Sequence, residues 1–232
     1  AAGGSMCSTA AVSVYDYVEF FRRERADCDA VVHFHISGEM SACYQNACIA
    51  AESFDNVYII DSANLSTGVG LLVLAAADMA EKGLSAEEIC EEIEKLKPNV
   101  NASFVIDSLE YLFKGGRCSA LAALGANLLK LKPCIEVKNG SMGVSKKYRG
   151  KFEDVIVKYA EERIADKENI YKNRIFITHA GCSDEVVNSV FETVKNNIDC
   201  DEIFITRAGS TVSVHCGRNT LGVLFIQKTP VE

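Results

Sequence analysis

No apolar run in the chain approaches the roughly 18 residues that a membrane-spanning helix requires, which argues against stable membrane insertion. A long basic tract is missing as well. With a formal net charge of -8 over 232 residues, the chain is a poor match to nucleic acid. There are ten cysteines but no C-x-x-C pair. They sit in apolar patterns (Cys90, Cys134, Cys216) or among small residues (Cys43, Cys48), so the reading is reduced thiols in a cytoplasmic protein rather than a disulfide framework or a metal centre. The opening AAGGSM is too short and too weakly apolar for a signal peptide. No G-x-S-x-G elbow, H-E-x-x-H helix, phosphate loop or dinucleotide fingerprint occurs, and no nucleophile has an evident base. The expectation is therefore a protein without a catalytic group, metal or cofactor. Internal repeats and low-complexity segments are absent too.

What is present is ordinary globular composition, 48% apolar and 24% charged, on a chain long enough for two domains. The first part alternates helix and strand signals. A helix is expected over 14–25, a strand over 30–36, a helix over 41–53, a strand over 57–60, and helices over 68–82 and 85–96. Ser85-Ala-Glu-Glu88 is a capping box, and Pro98 stops the helix that follows it. The second part differs. It predicts a strand over 103–106, a helix opened by Asp107 and closed at Gly115-Gly116, and a helix over 119–129. A hairpin about Asn139-Gly140, helices over 151–166 and 184–196, and strands over 174–178, 202–206, 211–214 and 221–226 follow. The fold class is thus α/β: a parallel sheet with flanking helices in residues 1–98, then an α+β domain with a mixed sheet in 99–232.

Chemistry concentrates at loop ends. In an open parallel sheet ligands bind beyond the carboxyl ends of strands, and Ser37, Gly38 and Ser41 stand at such an end. Ser41 reads as a helix cap, with the amides of Ala42 and Cys43 free to meet an anion. Asp61 at the neighbouring strand end reads as a cap and argues against a phosphate beside it. His33 and His35 alternate on one strand, but no third zinc ligand lies at a fixed offset. His179 and His215 end strand-like segments beside glycines. Lys130 to Lys151 holds seven basic residues and one acid, which reads either as a solvated hairpin or as a docking surface for an acidic partner.

Five stretches, in order, resemble the DegV family of bacterial fatty-acid-binding proteins. "HISGEMSACYQNACIAAE" is similar to the family's I-S-S-x-L-S-G-T-Y-x-x-A segment, and "VYIIDSANLSTGVGLLV" to its V-x-x-I-D-[ST] strand with a glycine-rich helix. "SLEYLFKGGRCS", "LLKLKPCIEVKNGSM" and "VSVHCGRNTLGVLF" resemble L-x-Y-L-x-x-G-G-R-I-S, L-L-x-I-K-P-I-L and the closing H-x-G-P-G-x-[LI]-G pair. The resemblance implies a long-chain fatty acid between two domains, its tail in an apolar tunnel of the second. It places the carboxylate on Thr9, Ser41 and His215, with Ser37, Gly38 and Ala42 as neighbours. It also implies a partner fatty acid kinase that phosphorylates the carboxyl group, with Lys130–Lys151 as an expected part of the docking surface. The chain departs from the pattern in several places. T-S-Q-P-S is Thr9-Ala-Ala-Val-Ser13, the G-P-G turn is Gly217-Arg218-Asn219, and the family's first strands have no counterpart, so an omitted N-terminal portion is expected. Two other readings stay open: an enzyme on a small carbonyl or phosphorylated substrate with His215 as acid–base or covalent residue, and a lipid-sensing regulatory module.

Overall fold

The chain's computed structural model describes residues 7–116 and 131–231, apart from the Phe113 side chain. The helix expected over 119–129 lies outside the described residues. The chain divides into two units. One comprises Ala10–Val100, Lys138–Ser141 and Val231–Glu232; the other comprises Ala1–Thr9, Asn101–Val137 and Met142–Pro230. No helix among the described residues is long and apolar enough to cross a membrane. The nine described cysteines are all free.

In the first unit, α1 (Val14–Glu24) begins where Ser13 Oγ accepts the Asp16 amide at 3.2 Å. Its apolar face buries Tyr17 and Phe21 against Ala47 and Ala50 of α2 (Cys43–Ala51). Strands β1 (Val31–His35) and β2 (Val57–Asp61) pair in parallel, from Val31 opposite Val57 to His35 opposite Asp61. Helices α3 (Thr67–Glu81) and α4 (Ala86–Leu96) follow, and the Ser85–Glu88 capping box forms as expected. Both strands therefore end in loops at one edge, where the Ser37 and Asp61 turns lie.

The second unit is built on a six-stranded mixed sheet. Its strands are β3 (Val100–Ile106), β4 (Leu131–Lys138), β5 (Ser141–Arg149), β6 (Ile170–Ala180), β7 (Glu202–Arg207) and β8 (Thr220–Gln227), in the order β5-β4-β3-β8-β6-β7. β3 runs antiparallel to β4, and β6 pairs antiparallel with β8 but parallel with β7. The Asn139-Gly140 turn carries φ of 49° and 78°, the left-handed pair that a two-residue hairpin requires. Helices α6 (Phe152–Arg163) and α7 (Asp184–Asn197) cover one face with Ile156, Tyr159, Val190 and Val194. Tyr159 is buried, and its hydroxyl donates to Ser103 O at 2.7 Å and accepts from Val223 N at 3.1 Å. It thus bridges β3 and β8 where Gly222 leaves no room for a side chain, since a Cβ there would lie 2.5 Å from Ser103 O.

Among its described residues the unit also has two short helices, α5 (Glu110–Gly115) and α8 (Ser210–Cys216). α8 corrects the strand expected over 211–214. Its β-branched residues favour a strand, but β8 already has β3 and β6 as neighbours, so the sheet offers it no partner there. The segment coils instead, packs on α5, and stops where Gly217 turns to φ 77°. The start of α5 differs in detail: the Glu110 amide is accepted by Ser108 Oγ at 3.4 Å, and Asp107 instead pairs with Lys132 at 2.5 Å.

Candidate functional site

In the second unit, the extended residues before α1 carry Thr9, and the last turn of α8 carries His215. They meet: Thr9 Oγ1 lies 2.8 Å from His215 Nε2, across 206 residues of sequence. Both side chains are half-buried. When the imidazole Nε2–H donates to the hydroxyl, the hydroxyl keeps its own proton for a third group, so the pair can receive a carboxylate through Thr9.

In the first unit, the loop after β1 folds back on Ser37, which is fully buried. Its amide donates to Asn64 O at 2.8 Å, and its carbonyl accepts the Met40 and Ser41 amides at 2.9 and 3.2 Å. Its hydroxyl accepts from Glu39 N at 3.2 Å. Ser37 thus organises the loop. The Gly38 amide donates to Asp61 Oδ2 at 3.2 Å, and Asp61 Oδ1 accepts from Ala63 N at 2.8 Å, so Asp61 clasps both strand-end turns. Ser41 precedes the helix by one residue more than its sequence suggests. Ala42 is the N-cap, and Ser41 Oγ accepts from Cys43 N at 3.2 Å. Burial pushes the Cys43 thiol up, but hydrogen bonds from Ser41, the Val12 amide, Tyr17 and its own amide outweigh that and leave it below its ordinary value.

The sequence suggests only a cap at Asp61, but the helix N-cap is Ser66 and Asp61 opens a turn that runs to it. Ala63 and Ser66 hold φ of 48° and 52°, and buried Asn64 accepts the Leu65 amide at 3.0 Å. A Cβ at Gly68 would lie 2.2 Å from Asn64 Oδ1. Strained non-glycine residues gathered at a strand end are common at ligand sites. The available signal was the D-S-A-N run, which favours side chain-to-backbone turns.

The other histidines play different parts. His33 and His35 do share a face, with ring centroids 4.5 Å apart, and both pack on Tyr17 of α1. Burial lowers both pKa values. His35 falls to about 4, helped by His33 and opposed by Asp61. No group of three ligands able to hold a metal occurs among the described residues. His179, one residue before the end of β6, lies opposite Arg207 of β7, and its pKa is lowered by burial and then by Arg207, against Asp184. In the basic segment, Lys132 and Lys146 are paired with Asp107 and Glu162, whereas Lys147, Arg149 and Lys151 are exposed.

Strand alternation leaves the second unit with a second apolar face. Ile175, Ile177, Leu221, Val223 and Phe225 point toward α6 and α7. Phe176, Leu224 and Ile226 therefore point the other way, as do Phe104 and Ile106 of β3 beside Val105.

The comparisons agree with one another. A family model described as an uncharacterised protein family, DegV, matches residues 1–228. A DegV domain-containing protein of Clostridium acetobutylicum is 33% identical over 207 residues, covering 85% of this chain and 70% of the relative. A protein of Thermotoga maritima named a fatty acid-binding protein is 28% identical over 223 residues, 94% of this chain and 77% of that one. A solved structure from Thermus thermophilus, described as showing fatty acid binding of a DegV family protein, superposes with a TM-score of 0.88 at 28% identity. It covers 97% of this chain and 80% of that one.

Proposed function

This chain belongs to the DegV family, and from that membership we propose that it binds a long-chain fatty acid and presents its carboxylate to a partner fatty acid kinase. The observation that carries the reading is the Thr9–His215 pair, which brings together two polar side chains from distant segments. The carboxylate sits on this pair. The resemblance assigns Ser41 to the same head group. The tail takes the apolar sheet face that includes Phe104, Phe176 and Leu224.

Energetics suit such a ligand. A tail of about 16 carbons contributes roughly 12 kcal/mol of transfer free energy at about 0.8 kcal/mol per methylene. Association and ordering offset part of it. An unpaired buried carboxylate would be costly, and the Thr9 hydroxyl, held in place by the His215 imidazole, offsets part of that cost. The tail supplies affinity, and the polar pair supplies orientation. The acyl-phosphate chemistry belongs to the kinase, which docks through a surface that includes Lys147, Arg149 and Lys151.

Native mass spectrometry of gently purified protein, with and without added oleate, tests the binding. One fatty acid per chain is expected, and repeated failure to take up oleate or palmitate overturns it. A fatty acid kinase catalytic subunit supplied with ATP and oleate should form acyl phosphate only when this chain is present. Ser41→Ala, in the other unit, tests the assignment that rests on the motif alone, with weaker oleate binding expected.

A further inference from the structure

We propose that Gly115, Tyr111 and Gly217 form a clamp that sets the direction of the His215 imidazole, and that this clamp gives the protein its preference for a carboxylate over an uncharged head group. The inference rests on the fatty-acid reading above and deepens it.

Helices α5 and α8 interlock through two rings and two glycines. A Cβ built on Gly115 of α5 would lie 2.3 Å from His215 Nδ1 and 3.3 and 3.4 Å from its Cγ and Cε1. The imidazole therefore rests directly on the α5 backbone. The arrangement repeats in reverse at the end of α8. A Cβ on Gly217 would lie 2.4, 2.8 and 2.9 Å from Cδ2, Cγ and Cε2 of Tyr111. Each helix contributes a ring and receives the other's ring on a glycine. Gly217 is doubly constrained, because its φ of 77° also ends α8, with its amide donating to Ser213 O at 2.9 Å.

The interlocked pair is braced beside the rings. Asp107, just before α5, donates its amide to Asn219 O at 3.1 Å and accepts from Asn219 Nδ2 at 3.2 Å. Asn219 lies just after α8 at φ 54°. The carbonyl of Cys216, the last residue of α8, accepts from Thr220 Oγ1 at 3.0 Å. The loop that starts one helix is thus tied to the turn that ends the other. With Gly115 behind it and Thr9 2.8 Å in front, the His215 ring has little freedom to turn.

A fixed imidazole matters for one part of the ligand only. A carboxylate requires aimed donors to offset its desolvation, whereas an alcohol head needs far less and the tail needs none. Loosening the ring should therefore erode carboxylate binding selectively. A methyl at position 115 needs His215 to retreat by about 1 Å to reach ordinary contact, and with Thr9 already 2.8 Å from the ring's other nitrogen that shift compresses the hydrogen bond or swings it out of line.

The test compares oleate with oleyl alcohol on the full chain. Gly115→Ala should weaken oleate by about tenfold while leaving oleyl alcohol within about twofold. In the ligand-free protein the His215 imidazole 15N resonances should shift. Gly209→Ala, at an α8 cap with open space around it, should match the parent in every measurement. Tyr111→Ala, which opens space instead of crowding it, should give the same selective loss if Gly115→Ala does not fold. Tyr111→Phe keeps the ring and should retain the preference. Equal loss of both ligands in the two clamp variants, or no loss of either, overturns the proposal. If the parent takes up neither ligand, the fatty-acid reading fails. Unmoved His215 resonances in the clamp variants then overturn the clamp as well.

Discussion

Thr9→Val is the most direct perturbation of the head-group pair. Valine keeps the shape of threonine but replaces the hydroxyl with a methyl, so His215 Nε2 loses the partner it holds at 2.8 Å. Two effects act on a bound carboxylate. It loses the hydroxyl as a donor, and the imidazole loses the group that steadies its outer nitrogen. A hydrogen bond to a charged group is worth about 1.5–3 kcal/mol. At about 1.4 kcal/mol per decade, the oleate dissociation constant should rise roughly 10- to 150-fold. The tail's apolar contacts are untouched, so binding should weaken without being abolished. Thr9→Ser restores the hydroxyl and should recover most of the affinity. Isothermal titration with oleate, or displacement of a fluorescent fatty acid, measures both variants. The half-buried position makes a large change in folding stability unexpected, and thermal melts check that. If Thr9→Val binds oleate within twofold of the parent while remaining folded, the pair does not hold the head group.

Three further outcomes can be measured. Tyr159→Phe removes the hydroxyl that bridges Ser103 O and Val223 N inside the second unit, taking a hydrogen-bond partner from two backbone groups in the core. It should cost about 2–5 kcal/mol in urea denaturation, and a loss under about 0.5 kcal/mol would contradict the bridge. His35 is neutral in the fold, with its pKa lowered to about 4 from near 6.5, and His33 is lowered as well. The unfolded chain therefore takes up protons first as pH falls. Stability should be full above about pH 6.5 and decline toward pH 4, by on the order of 3 kcal/mol for His35. The double variant His33→Phe/His35→Phe should flatten that slope. Gly140→Ala places a methyl 2.6 Å from Ser37 Oγ at φ 78° and should destabilise by more than Gly83→Ala, which has φ 87° and open space. Equal melting shifts for the two would show that Ser37 yields without cost.

The local elements were legible in the sequence because their causes are local. Ser85 and Glu88 sit at the spacing of a capping box, Asn139-Gly140 supplies the left-handed pair of a tight hairpin, and the periodicity of Val14, Val18 and Phe21 marks one face of a helix, to which the structure adds Tyr17. The family motifs singled out Thr9, Ser41 and His215 in the same way, from short ordered runs. What tertiary structure alone decided are the outcomes of competition between distant groups. Residues 211–214 have the composition of a strand, but β3 and β6 already occupy both edges of β8, so the segment became the helix that carries His215. The contact of His215 with Thr9 spans 206 residues, and no local rule encodes it. The glycines at 115 and 217 read as ordinary helix stops. Only packing shows that each receives the ring of the other's helix, because the need for a missing side chain is set by whatever folds against it.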